Sequence, residues 1–293
     1  QIFKLEADWE YVGVLHEYAT SRKAAEGGFT PSSTKLEGKY YIDARTMGDR
    51  TVQFGEDQAA KYTKDAETLI DCLENPENEN YEPDNLRYMF YTAQSYFDAQ
   101  NYEKACEWYE KRAVKGGWEE EVWYCVYRIA ICKCLLKKPW EEAQDHFLQA
   151  WNIRPSRPEP LYHLARIHRQ NGNPRLGYLF AMQANKIPPP VNDILFLAHD
   201  IYDWMILDEV ASSAWHAGDM IAGLEASNKL LEEKKFPKEH QERIVNNFAQ
   251  YAQWLEQKRL EEQAQYEEQV KKAAEEKMKR TKTPAPRRKK AKR

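Results

Sequence analysis

The sequence predicts a mainly α-helical chain of repeated helical hairpins, with a short β and loop segment before them and a charged tail after them. Three observations lead to this fold class. Glycine is scarce, at 12 of 293 residues, while the helix-favouring residues Ala, Glu, Lys and Leu are abundant. Self-similar units recur between Leu86 and Leu231. The composition also changes twice, which divides the chain into residues 1–56, 57–257 and 258–293.

The first region, residues 1–56, has the composition of strands and turns. The stretches Trp9 to Leu15 and Lys39 to Ile42 are rich in aromatic and β-branched residues, and turn formers from Gly27 to Ser33 separate them. About 55 residues with two or three strands bury too little apolar surface to fold alone. We therefore expect this segment to be the remnant of an α/β domain whose larger part lies outside the chain.

The second region, residues 57–257, contains four helical hairpins, each with a small residue near the start of its second helix. These anchor positions are 38, 34 and 46 residues apart, and 34 residues is the period of the tetratricopeptide repeat. Each hairpin of such an array is stabilised by its neighbours. We therefore predict a tetratricopeptide-type solenoid, preceded by one atypical helix from Ala59 to Leu73. The anchors are Ala105, Ala143, Gly177 and Gly223.

The third region, residues 258–293, lacks a periodic apolar face. Lys258 to Lys279 is predicted to form a solvated helix, and the Pro-, Lys- and Arg-rich stretch after Thr281 is predicted to be disordered. The last 23 residues carry 12 Lys or Arg and two acidic residues, whereas the rest of the chain carries 31 basic and 45 acidic residues. Such a basic tail is typical of a nuclear-import signal, of weak contact with nucleic acid or another acidic surface, or of a solubilising segment.

Several function classes lack their sequence signature. No apolar run approaches the ~18 residues of a membrane span. No Gly-rich phosphate loop and no Gly-x-Ser-x-Gly nucleophile motif occurs. The five cysteines stand in helical, apolar contexts without a Cys-x-x-Cys pair, so we expect buried, reduced thiols. We expect a cytoplasmic protein, or a nuclear one if the tail is an import signal.

A helical-hairpin array also predicts a binding groove. The first helices of successive hairpins line its concave side, and aromatic and arginine side chains are frequent binding anchors. For each tyrosine the alternative is packing between repeats, whereas the arginines are expected to be exposed. The groove candidates are Tyr91, Gln94, Tyr127, Arg128, Tyr162, Arg166 and Arg169. The tryptophans expected in the core instead are Trp118, Trp123, Trp140, Trp151, Trp204 and Trp215.

His16 and Glu17 directly follow the apolar stretch that ends at Leu15, where we expect a strand to end. A histidine beside a carboxylate at a strand end suits a divalent metal. It equally suits a half-buried polar pair, and no second ligand is identifiable nearby in the sequence. The spacing leaves both interpretations open.

Parts of the sequence resemble a known family. Trp9 to Tyr18 is similar to the closing segment of the catalytic domain of inverting family-two glycosyltransferases of the GT-A fold, in which a Trp, a Gly and a His-Glu pair precede the end of the sheet. Gly48 to Thr51 resembles the link from that domain to a tetratricopeptide array. The stretches Phe90 to Tyr96, Gly116 to Val122 and Arg154 to Tyr162 resemble the array of the same proteins.

The resemblance implies roles for two residues. His16 is implied to be a late metal ligand or a neighbour of the diphosphate, and Arg50 is implied to face the phosphates of a sugar nucleotide, because a guanidinium suits a diphosphate. The implied cofactors are a divalent metal, Mn²⁺ or Mg²⁺, and a nucleotide sugar. Neither is expected to bind this chain alone, because the family's nucleotide-binding half, with its Asp-x-Asp motif, has no counterpart here. No catalytic residue is assigned.

Two functions follow from these observations. In the first, the chain is the C-terminal portion of a glycosyltransferase, and its array docks a protein or glycan acceptor beside a sugar-nucleotide site that mostly lies outside the chain. In the alternative, it is a stand-alone tetratricopeptide adaptor that binds peptide or protein segments without catalysis. Whether the chain belongs to an enzyme stays open, although these pieces alone are not expected to transfer a sugar.

Overall fold

The computed structural model describes residues 7–27, 54–55 and 57–282. Within these residues the chain is mainly helical, consecutive helices pack on one another in tandem, and two short strands form a small sheet. The prediction of a mainly α chain of tandem helices is confirmed. By its internal contacts the chain divides into two compact units. Unit 1 comprises residues 1–160 and 190–197, and unit 2 comprises residues 161–189 and 198–293.

A β-hairpin lies near the start of the described part of unit 1. Strand β1 (Trp9–Val12) pairs antiparallel with β2 (Tyr18–Ser21), and the short helix α1 (Arg22–Ala25) follows directly. The strand predicted to reach Leu15 ends three residues earlier, because Gly13 has φ 108°, a conformation outside the extended region. The second expected strand, at 39–42, lies outside the described residues.

Three helices of unit 1 begin after a residue whose side chain caps them. The side chains of Asp57, Asn85 and Asn101 each accept a hydrogen bond from a backbone N–H in the first turn of the helix that follows. The first of these helices confirms the predicted atypical helix. The helices are α2 (Gln58–Glu74), α3 (Leu86–Asp98), α4 (Tyr102–Ala113), α5 (Glu119–Leu135) and α6 (Trp140–Ile153).

Unit 2 contains two further hairpins and one long helix. Helix α7 begins two residues before the unit does, and α9 continues directly from a π-helical turn, Ile201–Met205. The last helix has its side chains exposed from Glu256 to Met278, which confirms the predicted solvated helix; the stretch expected to be disordered, 283–293, lies outside the described residues. The helices are α7 (Glu159–Gln170), α8 (Pro174–Asn185), α9 (Ile206–Ala217), α10 (Met220–Glu233) and α11 (Gln241–Lys282).

The small anchor residues lie at close approaches between helices. A Cβ on Gly177 would stand 2.8 Å from the carbonyl oxygen of Ala165, so this glycine lets the two helices of one hairpin, α7 and α8, come together. Gly223 lies at a close approach between α10 and α11. A Cβ at this position would meet the ring of Tyr251 on α11 rather than a residue of its own hairpin partner, α9. Ala105 and Ala143 are both fully buried.

The interval after α8 returns to unit 1 as a strap, Pro190–Leu197, which carries no helix. The Oε2 atom of Glu120 accepts hydrogen bonds from the backbone N–H groups of Ile194 and Leu195, both at 2.9 Å. The buried guanidinium of Arg157 donates to the carbonyl oxygen of Leu195 at 3.3 Å and forms an ion pair with Asp193 at 3.4 Å. The strap is therefore fastened by charged side chains.

The six tryptophans expected in the core divide into three groups. Trp123 and Trp204 are buried, as expected for the core. The expectation is wrong for Trp118, which precedes the first turn of α5 and is 43% exposed, and for Trp215, which lies near the end of α9 and is 42% exposed. Helix ends are only partly covered by neighbouring helices, which accounts for both. The other two are half-buried. A membrane crossing needs a long apolar helix, and the described part of the chain contains none.

Candidate functional site

His16 lies in the connection between β1 and β2, not at a strand end as expected. Its φ is 55°, and its imidazole ring stacks on the ring of Tyr91 with 3.9 Å between centroids and 11° between planes. No group of three or more His, Cys, Asp or Glu side chains suited to a metal occurs in the described ranges. The metal-ligand role of His16 stays a prediction. Arg50, the other implied residue, lies outside the described residues.

The β-hairpin is held against helix α3. The backbone N–H of Val14 donates to the hydroxyl of Tyr88 at 3.3 Å. The guanidinium of Arg87 lies over the rings of Tyr18 and Tyr91, at 5.0 and 4.7 Å from their centroids, and its Nη2 donates to the carbonyl oxygen of His16 at 2.6 Å. Cation–π contacts and a charge-assisted hydrogen bond therefore join the two segments.

Two of the groove candidates in unit 1 are engaged by their neighbours. The amide oxygen of Gln94 accepts a hydrogen bond from Tyr109 at 2.9 Å, and its amide nitrogen donates to Asp98 at 3.1 Å. The guanidinium of Arg128 lies 3.4 Å from the ring centroid of Phe97. These side chains organise α3, α4 and α5, which leaves little of Gln94 for a ligand.

The buried tyrosines support the packing alternative. Tyr127 is 6% exposed, and its ring stacks on Trp123 with 5.3 Å between centroids. Tyr162, in unit 2, is 5% exposed, and burial raises the pKa of its hydroxyl. Tyr91 is half-buried under His16. None of the three is a freely exposed anchor.

Unit 2 contains a cavity of about 450 Å³ lined by helices α7, α9 and α11. Three groove candidates lie together in its wall: Tyr162, Arg166 and Arg169. They occupy one face of α7, because residues three and four positions apart are neighbours on a helix surface. Arg166 is exposed, as expected, but the expectation is wrong for Arg169 and Arg128, which are half-buried because Arg169 pairs with Glu209 and Arg128 packs on Phe97. The other four candidates belong to unit 1.

Helices α9 and α11 supply cavity residues that the sequence reasoning missed. Asp208 and Ser212 are four residues apart on α9, and Arg243 and Asn247 are four residues apart on α11. Glu209 adjoins the first pair. Polar residues four positions apart lie on one face of a helix, so this spacing on the fourth hairpin and on the last helix is the sequence signal for these residues.

The π-helical turn before α9 brings an indole to the cavity. Trp204 and Met205 end this turn, and both line the cavity. The ring of Trp204 lies 4.9 Å from that of His240, another lining residue. The indole Nε1 of Trp204 is buried, and no described residue accepts a hydrogen bond from it. π-helical turns are rare and occur frequently at functional sites.

Two ion pairs between lining residues join the helices around the cavity. Arg169 donates from Nε and Nη2 to the two carboxylate oxygens of Glu209, at 2.7 and 2.9 Å. Arg243 donates from Nη1 and Nη2 to those of Asp208, at 2.7 and 2.9 Å. The hydrogen bond to Glu209 raises the pKa of Arg169. Adjacent carboxylates on α9 thus tie it to α7 on one side and to α11 on the other.

Arg166 differs from these two arginines. Its one hydrogen bond within the described residues joins Nη1 to the hydroxyl oxygen of Tyr162, at 3.4 Å. It has no carboxylate partner there, and its side chain is exposed at the cavity. It is therefore a cation available to a ligand.

No family model matches the sequence. A comparison with curated proteins likewise finds no match.

Proposed function

We propose that the chain is a docking module of the tetratricopeptide type, which binds a segment of a partner protein in the cavity of unit 2. The observation that carries the proposal is the cavity of about 450 Å³ between α7, α9 and α11. This volume lies within the ~300–1,000 Å³ of ordinary ligand pockets. The three helices are the first helices of successive hairpins and the long helix that follows, which is the side on which such arrays bind their ligands.

The composition of the cavity supports a polypeptide ligand. It combines two aromatic side chains that are each only 5% exposed, Trp204 and Tyr162, with polar side chains from all three helices. An extended peptide presents backbone amides and carbonyls together with apolar side chains, and this mixture suits both kinds of lining. The described residues contain no group of three or more His, Cys, Asp or Glu side chains suited to a metal, and the proposal assigns the cavity no chemical step.

The proposal is tested by selecting ligands against the whole chain. Phage-displayed random peptides of ~12 residues would be panned on the immobilised chain, and enriched sequences would be synthesised with a fluorophore. We expect micromolar binding by fluorescence anisotropy, with about tenfold or greater loss in the variant Ser212→Trp, which places a large side chain in the wall of the cavity. The control is Gln263→Trp on the exposed part of α11, which is expected to bind as the unchanged chain does.

Circular dichroism would establish that both tryptophan variants are folded. Enriched peptides that bind Ser212→Trp as tightly as the unchanged chain would place the binding elsewhere and reject the proposal. Failure to enrich any peptide would also count against it.

We also propose a second candidate, in which this docking module is the C-terminal portion of a glycosyltransferase and brings a protein or glycan acceptor to a sugar-nucleotide site. The resemblance of Trp9 to Tyr18 motivates it, and the contacts of Arg87 with His16 and Tyr18 support it, because they join the segment to the array. The described residues alone do not complete a metal site around His16, so no step is routed through a metal.

The second candidate has a direct test. Calorimetry of the chain with a uridine sugar nucleotide and Mn²⁺ would detect a residual site, and the variants His16→Ala and Arg50→Ala are expected to abolish its heat. Heat that both variants retain would contradict the assigned roles. An Asp-x-Asp strand encoded upstream of Gln1 would support this candidate, and a start codon shortly before it would reject it.

A further inference from the structure

The hydrogen-bonding groups of the unit 2 cavity are unequally used. Its two carboxylates, Asp208 and Glu209, are 7% and 3% exposed, and each accepts two short hydrogen bonds from a guanidinium. A ligand that displaced one of these arginines without supplying a positive charge would leave a buried carboxylate unpaired, which is strongly unfavourable. The carboxylates are thus structural, and they offer little acceptor capacity to a ligand.

Donor groups, by contrast, remain available. The guanidinium of Arg166 has only the long contact with Tyr162, and the side-chain amide of Asn247 forms no hydrogen bond to the described residues. The indole N–H of Trp204 also lacks an acceptor among them, but this atom is buried, so it is not counted as a donor to a ligand. Asn247 and Gln170 also carry acceptor oxygens, so what the cavity offers without a described counterpart is the positive charge of Arg166.

The unpaired positive charge of Arg166 also favours an anionic ligand. Arg166 is the cavity cation that no described carboxylate neutralises, and it lies on a chain whose first 270 residues carry 45 acidic and 31 basic residues. An isolated positive group on an acidic body attracts an anion locally while the rest of the surface repels it. A planar guanidinium binds a carboxylate with two parallel hydrogen bonds.

We infer that the cavity selects a polypeptide segment carrying an internal Asp or Glu, whose side-chain carboxylate is bound by Arg166. The amide of Asn247 then serves the backbone of the same segment, beside the Trp204 and Tyr162 rings. This inference rests on the proposed docking function and names the chemistry of its ligand.

The test is a charge exchange across the contact. Peptides enriched on the unchanged chain are expected to share one acidic position, and replacing that residue by Gln or Asn is expected to lower affinity about tenfold. Arg166→Glu is expected to lose the acidic peptide, again by about tenfold or more, and to regain binding when the peptide position becomes Lys. Such a restoration reports the pairwise contact rather than a general loss of structure.

The matched control is Arg259→Glu, the same charge reversal on an exposed arginine of α11 outside the cavity, and it is expected to leave both affinities within about twofold. Affinity for the acidic peptide is also expected to fall as NaCl rises from about 50 to about 500 mM, because salt screens the exposed charge.

Two failures are distinguishable. Peptides that Ser212→Trp excludes, but that tolerate Gln at every acidic position, would overturn the inference and leave the docking function standing. Tighter binding of a phosphoserine peptide than of its Glu counterpart would overturn the carboxylate assignment in favour of phosphate. Peptides that Ser212→Trp does not exclude would reject the docking function itself.

Discussion

The ring of Tyr251 fills the space in which any residue other than glycine at position 223 would place its Cβ. An ideal Cβ on Gly223 would stand 2.3 Å from Cζ and 2.5 Å from the hydroxyl oxygen of Tyr251. The ring cannot easily move away, because it is 2% exposed and its hydroxyl donates to the carbonyl of Ala211 at 2.7 Å while accepting from the N–H of Trp215 at 2.9 Å. Helices α9, α10 and α11 therefore meet at this glycine.

Gly223→Ala is consequently expected to destabilise unit 2. Alanine in a helix interior ordinarily gains ~1 kcal/mol over glycine, so a loss here reverses the usual sign. Overpacking of a buried contact costs ~1–3 kcal/mol, and more where neighbours are held by hydrogen bonds. Thermal unfolding followed by circular dichroism would measure it. The control Glu225→Ala, at an exposed site on the same helix, is expected to change little, and a higher melting temperature for Gly223→Ala would contradict the packing described.

The ion pairs of Asp193 predict a stability difference that depends on pH. Hydrogen bonding from Arg154 lowers the pKa of Asp193 below 3.8, with Arg157 contributing further. Because the pKa is lower in the folded chain, the unfolded chain binds the proton more tightly. The Asp193 charge therefore contributes its full stabilisation at pH values above the pKa of the unfolded chain. This stabilisation is lost as the pH falls through the pKa of the folded chain. Asp193→Asn is expected to lose about 2 kcal/mol at pH 7.

This loss is expected to shrink as the pH falls below 3.8, because the unfolded chain then binds a proton at Asp193, and to vanish once the pH is below the lowered pKa of the folded chain. Urea unfolding of both chains at a series of pH values would measure it. Asp203→Asn is the matched control, because its pair with Lys235 is about half exposed on both sides and contributes little. A difference between the Asp193 chains that stayed constant down to acid pH would contradict the role of its charge.

The attachment of the strap to Glu120 predicts a change in proteolysis. Glu120→Ala removes the acceptor of two backbone N–H groups, so local opening of residues 190–197 becomes easier. We expect chymotrypsin to cut at Phe196, which is 45% exposed, at least about tenfold faster. Limited proteolysis with mass spectrometry would follow the cut. Glu119→Ala, at the neighbouring exposed position, is expected to match the unchanged chain, and equal rates for both variants would refute the attachment.

The cysteines predict slow alkylation. All five are free, and Cys72, Cys125 and Cys132 are buried. Burial, with the carboxylate of Glu110 beside it, raises the pKa of Cys106 from 9.0 to about 12, and burial likewise raises the pKa of Cys132 to about 12. Near pH 8.5 the thiolate population of these two is then roughly a thousandfold lower than in an unperturbed thiol.

Iodoacetamide labelling resolved by mass spectrometry would test this expectation. The folded chain is expected to label Cys106 and Cys132 far more slowly than the chain unfolded in urea. Glu110→Gln is expected to speed labelling of Cys106 while leaving Cys132 unchanged, since the carboxylate adjoins Cys106. Equal rates in the folded and unfolded chains would show that these thiols are not protected.

Much of the helical architecture could be read along the chain because its causes are local. Asn101 caps α4, and Gly218 adopts a left-handed conformation at the end of α9, so turn chemistry marks these helix ends. The prediction at His16 was wrong about its position, because one backbone angle at Gly13 ends the strand early. The aromatic and β-branched composition of this stretch predicts a strand but not the residue at which the strand ends and the turn begins.

The sequence by itself determined the helices, their small anchor residues and the exposed face of the last helix, since periodicity and capping depend on neighbours within a few turns. It also indicated three cavity residues on α7. Only the tertiary structure decided that Gly223 faces Tyr251, that Glu120 holds the strap, and that Arg243 meets Asp208 beside Arg166. Those contacts join residues 28 to 75 positions apart, and which of them form depends on how whole helices pack.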